Sequence, residues 1–220
     1  MAENNELKEI ATQLRQPEGE KGMEIAEMMH QTNIGMTLHA IVRLELSGNE
    51  KVLELGHGNG AHVQELLMDS PALLYFGLDI SQLMHDEAKR LNQAYIESER
   101  AFFYMYDGLK VPFDDNYFDK IFTVNTIYFW SDPPGLLAEL HRVLKPGGRL
   151  NITYAQKAFM QQLPFTKFHF ELYDDERMMK LAGSSAFRVH SSEDRKEEVK
   201  TKTGDWVERK FTTICLIKDF

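Results

Sequence analysis

Three glycines at alternate positions mark a place where the chain could bind a ligand. Gly56, Gly58 and Gly60 directly follow the short apolar run "KVLEL", and the amphipathic segment "AHVQELL" follows them. Glycine adopts a positive φ without strain and lets a ligand come close to main-chain amides. The order of segments predicts a strand, a glycine turn and a helix, with a ligand at the turn.

Carboxylates accompany three consecutive apolar runs. Glu54 lies two residues before Gly56, Asp79 ends "ALLYFGLD", and Asp107 ends "AFFYMYD". An ionised acid after the second strand can accept charge-assisted hydrogen bonds from two ribose hydroxyls. Glu54 suits a cationic amine, because two nearby acids would repel a pyrophosphate. Asp107 could accept from an adenine amino group while Gly108 leaves room for the ring. The ligand that these residues describe has an adenosine at one end and an amino acid at the other.

The glycines alone leave a second class of ligand open. The segment "GHGNGA" also satisfies the looser dinucleotide pattern, with Ala61 in the last place, and Asp79 fits either ligand. A nicotinamide-dependent oxidoreductase is therefore the alternative interpretation of this turn.

The elements that must position these residues alternate along the chain. From about residue 50 to 155, short apolar runs alternate with amphipathic helices, which predicts a parallel sheet with helices on both faces. Such sheets bind ligands at the carboxyl ends of their strands, where the strand order reverses. Ser81 is expected to cap a helix on which Leu91 faces inward, and Pro146-Gly147-Gly148 to stop the helix "PPGLLAELHRVLK".

The pattern predicts one domain over residues 1–220, with a hairpin whose turn is Gly204-Asp205. Its expected parts are an N-terminal helical cap (1–48), a core that binds the ligand (49–155), an insertion with a helix (156–185) and a C-terminal β-hairpin (186–220).

Composition excludes several classes of function. A net charge of −9 weighs against a nucleic-acid backbone as the main partner, since that affinity comes from clustered Lys and Arg. No targeting peptide or membrane-spanning run is recognised, which predicts a cytoplasmic protein. The single Cys215 leaves no intrachain disulfide, and the eight histidines lack ligand spacing, so no metal is predicted.

Four segments resemble one known family. "VLELGHGNGAHV", "FGLDIS", "MYDGLKVPFDDNYFDKIFTVN" and "LLAELHRVLKPGGRL" are similar, in this order, to class I S-adenosylmethionine-dependent methyltransferases of type 11. The branch that includes the quinone-biosynthesis C-methyltransferases is the most similar. The resemblance implies a Rossmann-like α/β fold with a seven-stranded, mostly parallel sheet whose last strand is antiparallel. It also implies S-adenosyl-L-methionine as cofactor and methyl transfer as the activity.

The resemblance assigns residues to the cofactor. It implies that Glu54 and the glycines hold the methionine end, Asp79 the ribose, and Ile80 and Met84 the adenine, with Asp107 and Gly108 at the adenine edge. His57 stands where the family usually has a small residue or cysteine. The predicted cofactor-binding residues are Glu54, Gly56, His57, Gly58, Asn59, Gly60, Asp79, Ile80, Met84, Asp107, Gly108 and Asn125.

The acceptor side is expected around the end of the fourth strand, the N-terminal helix near "MMHQTN" and the insertion after the fifth strand. Tyr128, Phe129 and Trp130 would suit a flat or apolar acceptor, and His30 is the candidate general base. Asn125 is not followed by the Pro-Pro-aromatic sequence that follows the corresponding asparagine in nucleic-acid enzymes that methylate amino groups. With the acidic charge, this favours a small-molecule acceptor. A non-catalytic module that binds S-adenosylmethionine is a further alternative.

Overall fold

The computed structural model describes residues 2–200 and 206–220, so the predicted turn at Gly204-Asp205 lies outside the described residues. The described helices are α1 (Ala2–Arg15), α2 (Gly19–Val42), α3 (Val63–Leu67), α4 (Gln82–Leu91), α5 (Gln93–Glu97), α6 (Pro133–Val143), α7 (Lys157–Met160) and α8 (Asp175–Gly183). The strands are β1 (Lys51–Leu55), β2 (Leu74–Asp79), β3 (Ala101–Met105), β4 (Phe118–Val124), β5 (Leu144–Ala155), β6 (Arg188–Lys200) and β7 (Trp206–Ile217).

The strands form one seven-stranded sheet in the order β3-β2-β1-β4-β5-β7-β6. Strands β1 to β5 pair in parallel, whereas β7 is antiparallel to both β5 and β6. The predicted fold class is therefore confirmed. The chain order reverses where β1 lies between β2 and β4, and the carboxyl ends of these three strands meet at that point.

Helices cover both faces of the sheet because the strand side chains alternate. Leu53 and Leu55 face the core beneath α6, whereas Val52 belongs to the core beneath α2, α3 and α4. Glu54 therefore points into an otherwise apolar face and is only 2% exposed. A carboxylate in this position requires hydrogen-bonding partners.

Side-chain N-caps set the starts of several helices, among them α4 and α6. The Ser81 hydroxyl accepts from the Met84 amide at 3.2 Å, and the Asp132 carboxylate accepts from the Gly135 amide at 3.1 Å, each at a helix N-cap. The loop before β1 is held by the buried Glu50, whose carboxylate accepts four hydrogen bonds. The donors are the Ser47 amide and hydroxyl and the amides of Gly48 and Asn49.

Two helix ends differ from the prediction. Helix α4 breaks at Asn92, whose side chain donates to the carbonyls of Gly60 and Ala88 at 2.9 Å each, so Leu91 is 44% exposed rather than inward-facing. Helix α6 ends at Val143, before Pro146-Gly147-Gly148, because Leu144 already pairs with Phe118 as the first residue of β5.

Two kinds of feature are absent from the described residues. Within 2–200 and 206–220, no helix combines the length and the apolarity that crossing a membrane requires. The same ranges contain no group of three His, Cys, Asp or Glu side chains placed to hold a metal ion. Cys215 lies buried in β7, and burial raises the pKa of its thiol.

Candidate active site

A cleft opens at the point where the strand order reverses, with an empty volume of about 1050 Å³ that includes its open mouth. We call it the main cleft. The ends of β1, β2 and β4 form its floor, and α1 and α2 lie over it. Of the predicted residues it brings together Glu54, Gly56, His57, Gly58, Asn59, Asp79, Ile80, Met84, Gly108 and Asn125, with His30, Phe129 and Trp130.

The glycine turn has two kinds of positions. Gly58 has a φ of 56°, and a Cβ placed there would meet no atom within 4 Å, so its backbone faces open space in the cleft. Gly60 has a φ of 65°, and its Cβ would lie 2.9 Å from that of Ala88 on α4. Gly60 is therefore needed for close packing of the turn against the helix and does not line the cleft.

Asp79 holds the turn in place from the end of β2. Its two carboxylate oxygens accept from the Gly58 amide at 3.1 Å and from the Ser81 amide at 2.9 Å. Burial raises the pKa of this carboxyl, while His57 and the amide donors act in the opposite direction. A carboxylate oxygen can accept more than one hydrogen bond, so Asp79 retains capacity for a ligand hydroxyl.

Glu54 is held by two buried partners that the sequence did not indicate. One carboxylate oxygen, Oε2, accepts from His62 Nε2 at 2.7 Å and from the hydroxyl of Tyr75. His62 is the residue before α3, and Tyr75 lies on the neighbouring strand β2. No described residue donates to the other oxygen, Oε1, which leaves it for a ligand in the cleft.

His57 lies under the turn with one nitrogen unpaired. Its Nδ1 lies 2.7 Å from the carbonyl oxygen of Gly58, so Nδ1 carries the hydrogen that this bond requires. Its Nε2 is buried and has no partner among the described residues. The ring packs edge-on against Phe103, with ring centroids 5.1 Å apart, so His57 fills the space beneath the turn.

His30 lines the main cleft from α2. Burial lowers the pKa of its imidazole, and the neighbouring His62 lowers it further, against the opposing effect of Glu27. His30 is consequently neutral at pH 7 and able to accept a proton.

The predicted Asp107 is placed outside the main cleft. This exposed residue caps its own turn, because Oδ1 accepts from the amides of Leu109 and Lys110 at 2.8 Å each. These hydrogen bonds lower the pKa of its carboxyl. It lines an open groove next to the cleft, whereas the adjacent Gly108 lines the cleft itself.

A second cavity adjoins the main cleft and has an empty volume of about 600 Å³, counted with its opening. We call it the apolar chamber. Its walls include Met28, Phe159, Met160, Leu163 and Phe170. Leu14, Met29, Asn33, Asn125 and Phe129 line both cavities.

The three predicted aromatic residues divide between the cavities. Tyr128 lines only the chamber, and its hydroxyl bonds Asn125 Oδ1 at 3.0 Å and the Ala155 carbonyl at 2.9 Å. Phe129 lines both cavities, and Trp130 lines the main cleft, with its indole N–H donating to a threonine hydroxyl at 3.0 Å. Asn125, which has a φ of 58°, lines both cavities and lies at the border between them.

Sequence reasoning missed several residues of the site. His62, Tyr75, Asn33 and Arg209 all take part in its hydrogen bonds. The local sequence offers only one hint, the position of His62 at the start of the helix that follows the glycine turn. Tyr75 lies in the run that ends at Asp79, Asn33 lies in the N-terminal helix and Arg209 lies far along the chain, but each is an ordinary residue type for its helix or strand.

The sheet order and the cleft at the switch point define a Rossmann-like α/β domain. Residues 53–152 match the family model described as a methyltransferase domain. This match spans a little under half of the chain and agrees with the resemblance to S-adenosylmethionine-dependent methyltransferases that the four sequence segments had indicated.

Two curated relatives show how far the likeness extends. Cycloartenol-C-24-methyltransferase 1 of Oryza sativa subsp. japonica is 33% identical over 48% of this chain and 30% of its own length. The ubiquinone/menaquinone biosynthesis C-methyltransferase UbiE of Desulfotalea psychrophila is 29% identical over 66% of this chain and 62% of its own length. The chain thus spans less than two thirds of either relative.

The fold has solved counterparts as well. The geranyl diphosphate C-methyltransferase of Streptomyces coelicolor A3(2), in complex with Mg²⁺, geranyl diphosphate and S-adenosyl-L-homocysteine, superposes with a TM-score of 0.69 at 13% identity. The match covers 92% of this chain and 85% of that protein, which shows the shared fold.

Proposed function

We propose that the protein transfers a methyl group from S-adenosylmethionine to a small-molecule acceptor. One observation carries the proposal: a cleft with two buried carboxylates and an open glycine backbone adjoins an apolar chamber. The cleft provides the polar groups that an adenosyl amino acid requires, and the chamber provides room for a second molecule beside it. Relatives named as methyltransferases of sterols and quinones support a small acceptor over a nucleic acid.

The residues of the cleft fit the cofactor. We assign Glu54 to the methionine amine and Asp79 to the ribose, since both are buried carboxylates with hydrogen-bonding capacity left. Gly58 has no side chain that would obstruct the methionine end, and Ile80 and Met84 supply apolar surface for the adenine. Asp107 is assigned to the edge of the adenine from the adjoining groove, next to Gly108.

The chemistry depends mainly on positioning. When bound, S-adenosylmethionine supplies a methyl group attached to a positively charged sulfur. The sulfur is the leaving group and departs as a neutral thioether. The cleft and chamber hold the two reactants in line and exclude water, and such positioning can lower a barrier by roughly 7–11 kcal/mol. Where the acceptor atom carries a proton, His30 Nδ1 or Nε2 is the candidate base, because the lowered pKa keeps the imidazole neutral.

Isothermal titration with S-adenosylmethionine, S-adenosylhomocysteine and NAD tests the assignment of the cofactor. Binding of both adenosyl compounds without a response to NAD is expected. Binding of NAD alone would contradict the proposal and restore the oxidoreductase interpretation of the glycine turn. A radiolabelled methyl-transfer assay over a panel of acceptors then separates an enzyme from a module that only binds the cofactor.

A cytoplasmic location and the four-part division of the chain stay predictions of the sequence.

A further inference from the structure

The charge of the apolar chamber restricts which acceptor it can hold. Among the described residues that line it, Arg209 is the one with a formal charge, and the rest are apolar or neutral polar side chains. Arg209 extends from β7 beneath α2 and is 5% exposed. A buried cation of this kind could bind an anionic acceptor only if its charge were available.

The charge of Arg209 is already balanced. Glu197 Oε1 on β6 accepts from the guanidinium Nε at 3.0 Å and from Nη2 at 2.7 Å. The Thr32 carbonyl accepts from Nη2, and Asn33 Oδ1 accepts from Nη1 at 2.9 Å. An anionic acceptor at Arg209 would have to compete with the Glu197 carboxylate for the guanidinium, which disfavours phosphate and carboxylate groups in the chamber.

The same network orients the amide of Asn33. Its Oδ1 accepts from Arg209 Nη1 and, at 3.2 Å, from Asn125 Nδ2. Arginine only donates, and Asn125 Nδ2 is fixed as a donor because Asn125 Oδ1 accepts from the Ala155 amide at 3.1 Å. The Asn33 side chain therefore cannot be flipped. Its Nδ2, with two hydrogens, has no partner among the described residues and belongs to a side chain that lines both cavities.

We propose that the methyl acceptor is an uncharged, largely apolar molecule that presents a carbonyl, ether or hydroxyl oxygen to the Asn33 side-chain amide. This inference rests on the proposed function and specifies its substrate. The Asn33 Nδ2 hydrogens can be met by an oxygen of a bound molecule, and a site that hydrogen-bonds such an oxygen disfavours an analogue that lacks it. Asn33 lies on the border of the two cavities, so a molecule bonded to it is held next to the cofactor.

A neutral fluorescent ketone tests the proposal before the natural acceptor is known. Prodan, a flat naphthalene with a ketone, is titrated into protein loaded with S-adenosylhomocysteine. The variant Asn33→Asp is close in shape and keeps an oxygen for Arg209 and Asn125, but replaces the Nδ2 donor with an acceptor. Asn5→Asp, on the exposed part of α1, adds the same charge away from the site and is the matched control. Melting temperatures confirm that each variant is folded.

We expect Prodan to bind with a blue-shifted emission, and its Kd to rise at least about 10-fold in Asn33→Asp but not in Asn5→Asp. S-adenosylhomocysteine affinity should stay within about 3-fold. Equal Prodan binding by wild type and Asn33→Asp would overturn the role of Asn33. An equal loss of affinity for Prodan and for S-adenosylhomocysteine would assign Asn33 to the cofactor site and would also overturn its proposed contact with the acceptor.

Displacement of Prodan tests the charge of the acceptor separately. The pair 2-acetylnaphthalene and 2-naphthoate has the same rings with a ketone or a carboxylate. We expect the ketone to compete at least about 10-fold better, and equal or better competition by the carboxylate would refute the uncharged acceptor. Failure of the wild type to bind S-adenosylhomocysteine would instead refute the proposed function, so the two failures are distinguishable.

Discussion

Replacing Asp79 by Asn is the sharpest test of the cofactor site proposed for the main cleft. In the structure both oxygens of Asp79 hold backbone amides, those of Gly58 and Ser81. The carboxylate also remains able to accept from a ribose. Asn keeps the size of the side chain and one acceptor oxygen, but it loses the charge and places an NH₂ group where an acceptor is needed.

The expected magnitude follows from these contacts. A hydrogen bond to a charged group contributes about 1.5–3 kcal/mol, and about 1.4 kcal/mol corresponds to a factor of ten. Loss of one charged bond to the ribose should therefore raise the Kd of S-adenosylhomocysteine about 10- to 150-fold. Isothermal titration measures this directly, and Asp69→Asn on the exposed surface is the control for a change of charge alone.

The pH dependence gives a second measurement of the same residue. Burial raises the pKa of Asp79 above its usual 3.8. Because the ligand is bound by the ionised form, affinity is complete above the raised pKa and falls as the pH falls through it. Titrations from about pH 8 to about pH 4 should show this loss in the wild type and not in Asp79→Asn. A folded Asp79→Asn with wild-type affinity at pH 7 would refute the assignment of Asp79.

Three further changes test one loop outside the site and two residues within it. Hydrogen bonds from the loop lower the pKa of Glu50 to about 2 despite its burial. The stabilisation that the ionised carboxylate gives is therefore present above pH 4.5 and is lost as the pH falls to about 2. Glu50→Gln should lower the free energy of unfolding, measured with urea, by about 1.5–3 kcal/mol at pH 7 and should leave it unchanged near pH 2. Tyr75→Phe removes a donor to the buried Glu54, which should lower the melting temperature by roughly 3–12 °C. His30→Gln should lower kcat by about 10²- to 10⁴-fold for an acceptor that must lose a proton, with cofactor affinity unchanged.

Each of these has a control within the chain. For Glu50, the exposed Glu65 provides the same substitution outside a hydrogen-bond network, and equal pH dependence of the two variants would contradict the loop interpretation. For Tyr75, the partly exposed Tyr95 is the matched change to Phe. For His30, the wild-type rate should rise with pH to a plateau through a value below 6.5, and a flat profile would remove its role as a base.

The sequence predicted what local patterns determine. Asp79 and the glycines were found because a strand, a turn and a helix each have their own period, and the carboxyl ends of parallel strands meet at one edge. The Ser81 cap was found for a similar reason, since a side-chain acceptor at the start of a helix acts within three residues.

The partners of these residues could not be predicted in the same way. Tyr75 is 21 residues from Glu54, and Arg209 is 176 residues from Asn33. Such pairs depend on strand order and on the path of the last hairpin, which no local period encodes. Leu91 was wrongly expected to face inward because the helical period was continued through Asn92, where a tertiary hydrogen bond to Gly60 ends the helix.

The contact between Arg209 and Asn33 has a consequence for synthesis of the protein. The glycine turn and the strands that carry Glu54 and Asp79 are translated before β7, but one wall of the apolar chamber depends on the Arg209 guanidinium in β7. The wall that Arg209 supplies is therefore translated later than the strands that carry Glu54 and Asp79, so the apolar chamber is completed after the floor of the main cleft.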